Sequence, residues 1–188
     1  MLIKVTINLH SWRGVPEYLT LLPIIRVLIL GSYRSQYLNR LEAIRNELIG
    51  KGIINARLVK DFKVPVKYPG EPNPIYNLRK SEYWIDRADI LLFIYFNNTD
   101  NASVGVELTT TLINPGNAWR INLAYTDKTA SLVVGLGMRH QPDISLIHYS
   151  EDIDIVTQCR GNIIGLLARF FRSVYQRPVG EWENSSII

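Results

Sequence analysis

Short apolar runs alternating with amphipathic helical segments place this chain in the α/β class, with a doubly wound, mostly parallel five-stranded sheet and an extra strand at the N-terminus. Three observations predict this. Ile24–Leu30 (IIRVLIL) and Asp89–Phe96 (DILLFIYF) are nearly continuous apolar runs of strand length, as in strands buried on both faces. Between such runs, apolar residues recur at helical spacing. The chain has 188 residues, 47% of them hydrophobic, enough for one domain with a real core.

The elements follow in order. Ile3–Leu9 alternates apolar and polar residues, which predicts a half-buried strand, either an edge strand of the main sheet or a dimer-forming arm. Trp12–Pro16 reads as a turn. Residues 1–22 therefore form an extension, residues 23–177 a single α/β domain, and residues 178–188 a loose tail. Ile24–Leu30 is the first buried strand, ended by Gly31. Ser35 suits a helix N-cap, and Leu38, Leu41, Ile44 and Leu48 follow on one face until Gly50 and Gly52 stop the helix. Ile53–Val59 is the second strand. Pro65 to Pro74 resists regular structure, and Asn77 can cap a short helix carrying Leu78, Trp84 and Ile85.

Asp89–Phe96 is the third and strongest strand. The polar loop Asn97–Ala102 leads into a helix from about Ser103 to Ile113. Ser131–Val134 and Ile144–His148 read as two more strands, and Thr157–Tyr175 as the closing helix, with Ile164, Leu167, Phe171 and Val174 on one face. Five strands suit the flavodoxin-like order 2-1-3-4-5. A ligand then binds between strands 1 and 3, beyond their carboxyl ends. The bordering loops are Gly31–Ser35 and Asn97–Ala102.

Composition excludes several functions. The single cysteine, Cys159, rules out an intrachain disulfide and fits a reducing, cytoplasmic setting. His10, His140 and His148 show no metal-ligand grouping, so no metal site is expected. No GxxxxGK[ST] or GxGxxG fingerprint is present, and no cofactor is implied. Met1–Leu9 lacks the apolar run of a signal peptide, and Leu21–Leu30, broken by Pro23 and Arg26, is too short to span a membrane. The net charge is +4, yet residues 24–67 hold nine basic and three acidic residues, a regional +6 against −2 elsewhere. Those charges spread over helix, strand and loop without interleaved aromatics. They argue against a nucleic-acid footprint and suit attraction of a small anion, or simply a solvated face.

Among residues that could carry chemistry, Glu107 stands out. It lies early in the helix after strand 3, and Ser103, Glu107 and Thr110 share one helix face. A helix N-terminus favours an ionised carboxylate, suited to a nucleophile or an electrostatic stabiliser. A solvated surface glutamate is the alternative. Asp100 and Asn101 stand at the carboxyl end of strand 3, where they could bind ribose hydroxyls or simply form a turn. Gly31, Ser32, Tyr33 and Arg34 could hold an anion at a helix N-terminus. Asp89 lies at the amino end of its strand, away from the crevice unless the strand begins later.

A first strand ending in Gly31-Ser-Tyr-Arg34, Asp86-x-x-Asp89 leading into an apolar strand, and a helix carrying Gly105-x-Glu107-Leu108 together resemble the nucleoside 2-deoxyribosyltransferase-like superfamily, related to TIR-like NAD-cleaving domains. The resemblance covers about residues 24–135, roughly 60% of the chain. It implies that Glu107 attacks the anomeric carbon of a nucleoside or nucleotide, and that Asp89 and a loop Asp assist. That loop Asp falls on Asn101 here, and the Gly that follows it in the family falls on Ser103. Tyr33 or Tyr95 would sandwich the base, and residues 65–74, with Tyr68 and Tyr76, would close over the pocket. Three functions stay open: an N-glycosyl transferase or hydrolase, a non-catalytic nucleotide-sensing module, or an interaction protein that oligomerises through Ile3–Leu9.

Overall fold

The computed structural model describes Leu19, residues 21–135 and residues 143–175. The expected N-terminal strand at Ile3–Leu9, the turn at Trp12–Pro16 and the tail at 178–188 lie outside the described residues, as do His10 and His140.

The five strands are β1 (Val27–Leu30), β2 (Ala56–Leu58), β3 (Ile90–Ile94), β4 (Ile121–Tyr125) and β5 (Ser145–His148). They form one sheet in the order β2-β1-β3-β4-β5, parallel throughout. The helices are α1 (Ser35–Gly50), α2 (Asn73–Ile85), α3 (Ala102–Leu112), α4 (Ala130–Gly135) and α5 (Asp152–Tyr175). This is the predicted flavodoxin-like order.

The apolar strands are buried on both faces, and the two-residue period divides them between two cores. Val27, Ile29, Ile90, Leu92 and Ile94 point to the layer holding α1 and α5. Leu28, Leu30, Leu91, Phe93 and Tyr95 point to the opposite layer, with Val104 and Leu108 of α3. α1 buries Leu41, Ile44 and Leu48 and is tied to α5 by Arg40, which donates to Asp152 at 2.5 and 3.1 Å. Leu22, read as part of the extension, is buried in the α1–α5 core.

Several local expectations are corrected. Ser131–Val134 is helix, inside α4, and the fourth strand is Ile121–Tyr125. A four-residue apolar run carries no decisive period, and Asn122 breaks the apolar signal of the true strand. Asn122 is nonetheless fully buried, accepting from Asn162 Nδ2 at 3.2 Å across to α5. Asn77 does not cap α2, which begins at Asn73 behind Pro72. Pro74 sits in its first turn, where a missing N–H costs nothing. Arg34, not Ser35, holds the N-cap position of α1, and no side chain caps it. α5 starts five residues earlier than Thr157, behind a turn in which Asp154 accepts from the backbone of Ser150 and Glu151, both at 3.1 Å.

No helix among the described residues is long and apolar enough to cross a membrane.

Candidate active site at the β1–β3 switch point

β1 runs into α1 on one face of the sheet and β3 runs into α3 on the other. The two outgoing loops therefore diverge and leave a crevice at the carboxyl edge between β1 and β3. A cavity of about 370 Å3 lies there, in the range of small-molecule sites. Gly31 and Tyr33 line it from the β1 loop, Val59 and Lys60 from the turn after β2, Asn77, Lys80 and Ser81 from α2, and Ser103 and Glu107 from α3.

Glu107 is the only carboxylate lining this cavity among the described residues, and it is 8% exposed. Burial pushes its carboxyl up to about 7, the Ser81 hydroxyl beside it pulls the other way, and the charge of Glu82 raises it further. The expected favouring of the ionised form by the helix N-terminus is thus reversed. Glu107 stands in the second turn of α3, where the dipole has faded and desolvation dominates. A carboxyl poised near neutrality can act as nucleophile in its ionised fraction or as a proton carrier in the rest.

Tyr33 contributes its ring to the cavity, while its hydroxyl turns inward and accepts from Val59 N–H at 2.9 Å. Burial raises the phenol well above its ordinary value, the Val59 bond opposes this, and the charge of Glu107 adds to it. Gly31 allows close approach: a Cβ there would stand 2.8 Å from Leu41 Cδ2. Lys80 donates to the Phe62 carbonyl at 2.6 Å, and Lys60 is paired with Glu42, so both ammonium groups are held beside the cavity. Each ammonium carries three donors and keeps some for a ligand.

The other expected site residues serve elsewhere. Ser32 is buried, its hydroxyl 3.3 Å from that of Thr99, and joins the two loops. Arg34 is exposed and does not line the cavity. Asp100 accepts from Ala102 N–H at 2.9 Å and shapes the start of α3. Asn101 is buried against the loop backbone. Asp89 lies at the opposite, amino edge, because β3 begins at Ile90. There it accepts from the Arg26 backbone at 2.8 Å and from its guanidinium at 2.7 and 3.0 Å. Burial pulls its carboxyl upward, but these bonds outweigh it and hold the group below its ordinary value.

Tyr95 is 1% exposed, so it cannot sandwich a base. Its hydroxyl is buried without a partner among the described residues, close behind Gly105. Tyr68 and Tyr76 do not line the cavity; they stack with Arg79, whose guanidinium lies 4.0 Å from the Tyr68 ring and pairs with Glu71.

Lys60, Asn77, Lys80 and Ser81 were not foreseen from the sequence. Asn77, Lys80 and Ser81 stand at i, i+3 and i+4, a polar face that was legible once α2 was placed correctly. Among the described residues no group of three His, Cys, Asp or Glu could hold a metal ion.

Fold and site together define a flavodoxin-like α/β domain with one buried carboxylate at its switch point. No protein-family model and no curated protein matches the chain.

Proposed function

We propose that the protein cleaves or transfers the N-glycosidic bond of a nucleoside or nucleotide, with Glu107 as the carboxylate at the anomeric carbon. The observation that carries this reading is that Glu107 shares one crevice cavity with Gly31 and Tyr33. Breaking the C–N bond sends its electron pair to the base, which takes up a proton, and leaves positive charge on the sugar ring. An ionised Glu107 stabilises that charge or bonds to the carbon. Water then completes hydrolysis, or a second base completes transfer. Ser103 and Asn77 offer hydrogen-bonding groups for sugar hydroxyls, Lys60 and Lys80 offer positive charge for a phosphate, and the Tyr33 ring offers a flat apolar wall.

The test is release of free base, followed by chromatography, from a panel of nucleosides, nucleotides and NAD. The expected result is turnover of at least one substrate that disappears in Glu107→Gln. Turnover that persists in that variant overturns the role of Glu107.

A second reading is a nucleotide-binding module without turnover. It is favoured by the lone carboxylate lining the cavity and by Asn101, which occupies the position of the family's loop Asp and is engaged with backbone. Thermal stabilisation by a nucleotide with no base released selects this reading.

A further inference from the structure

A separate cavity of about 360 Å3 opens at the amino edge of the sheet, on the far side from Glu107. Its apolar floor includes Leu28 of β1, whose side chain points to the same face of the sheet as Phe62 and Trp84. One wall is the Phe62–Trp84 pair, stacked with ring centroids 3.6 Å apart and an interplanar angle of 14°. The indole N–H donates to the Val64 carbonyl at 2.7 Å, which fixes the wall. Three arginines line it from three separate segments: Arg26 before β1, Arg57 in β2 and Arg87 after α2.

These arginines are held but not exhausted. Arg57 commits Nη1 to the carbonyls of Ile54 and Ala56, at 2.9 and 2.8 Å. Arg87 commits Nη1 to the Tyr83 carbonyl at 2.9 Å and lies 3.6 Å from the centre of the Tyr83 ring. Among the described residues, Nε and Nη2 of both have no hydrogen-bond partner. Arg26 is neutralised by Asp89, which does not itself line the cavity. Among the described residues, Arg57 and Arg87 have no such carboxylate. Both line one cavity, and an anion accepting their free N–H groups offsets their positive charges. A bare anion would leave the aromatic wall and apolar floor unused.

We propose that this amino-edge cavity binds a small anion carrying an aromatic or alkyl body, a phosphate monoester or carboxylate. Its head is held by Arg57 and Arg87, and its body lies against Phe62, Trp84 and Leu28. This site is independent of the reaction assigned to Glu107.

The test is isothermal titration calorimetry on the full chain with three probes: 1-naphthyl phosphate, 1-naphthol and inorganic phosphate. The expected result is single-site binding of 1-naphthyl phosphate, with both fragments at least about tenfold weaker. Arg57→Gln and Arg87→Gln should each weaken it about tenfold or more, the loss of one or two charge-assisted hydrogen bonds. Arg87 is exposed, so Arg87→Lys serves as a variant that keeps charge and fold but loses the fork, and it should also weaken binding. The proposal is overturned if 1-naphthyl phosphate does not bind, or if either fragment binds as tightly. It also fails if binding survives both glutamine variants, or if binding is lost instead in Lys80→Ala, which places the probe in the Glu107 cavity.

Discussion

Asn101 and Phe96 exchange both halves of an amide pairing: Asn101 Nδ2 donates to the Phe96 carbonyl at 3.0 Å, and its Oδ1 accepts from Phe96 N–H at 3.3 Å. The same Nδ2 reaches the Thr99 carbonyl at 3.3 Å. One buried side chain thus closes the loop from β3 to α3 and sets where α3, and with it Glu107, begins. Asn101→Asp keeps the size but removes the donor and faces two carbonyl oxygens with a carboxylate. It is expected to destabilise the fold by about 1–3 kcal/mol in urea unfolding. It should not raise base release, since the group points into the loop and not into the cavity. A variant as stable as the parent, or faster, contradicts this.

Glu107 should make stability depend on pH in an unusual direction. Its carboxyl is raised from 4.5 to about 7 in the folded state. The folded protein therefore keeps a proton that the unfolded chain releases, and stability falls as pH rises through that window. The loss totals about 3 kcal/mol above it. Glu107→Gln should remove the slope, melting higher than the parent at pH 8 and alike at pH 4. If Glu107 acts ionised, kcat/KM for base release rises towards a plateau just above pH 7. A Gln variant that melts lower at pH 8 counts against the raised carboxyl.

The Arg26–Asp89 pair joins the start of β1 to the start of β3 and stands apart from the Glu107 cavity. Its side chains are 61% and 39% exposed, so solvent screens most of the attraction. Asp89→Asn is expected to cost at most about 1 kcal/mol and to leave base release unchanged. Loss of activity at unchanged stability would return Asp89 to the chemistry.

Gly31 and Leu41 are coupled through space. A methyl group at residue 31 meets Leu41 Cδ2, whose side chain is fully buried in the α1–α5 core. Gly31→Ala should cost about 1–3 kcal/mol as Leu41 is forced to repack. Because the clash is with the side chain and not with backbone, Leu41→Val in the same chain should give back part of the loss. Additive costs in the double variant refute the coupling.

Fold class was legible because burial on both faces forces a strand to be apolar at every position, and β1 and β3 carry that signal without interruption. The switch-point crevice followed from strand order alone, and Glu107, Ser103, Gly31 and Tyr33 do meet there. β4 was illegible because a buried asparagine interrupts it, and its partner Asn162 lies forty residues away in α5. α4 was misread because a short apolar run looks alike in either period.

The local pattern of side chains was therefore enough for the fold class, the parallel strand order and the edge that carries the Glu107 cavity, since all three follow from apolar periodicity and chain order. Tertiary structure alone decided which polar groups reach that edge. Lys60, Asn77, Lys80 and Ser81 come from segments that only packing brings beside α3. The protonation of Glu107 was likewise set by packing. Helix position argued for a charged carboxylate, but removal of water by the neighbouring layers outweighs a dipole that fades after one turn.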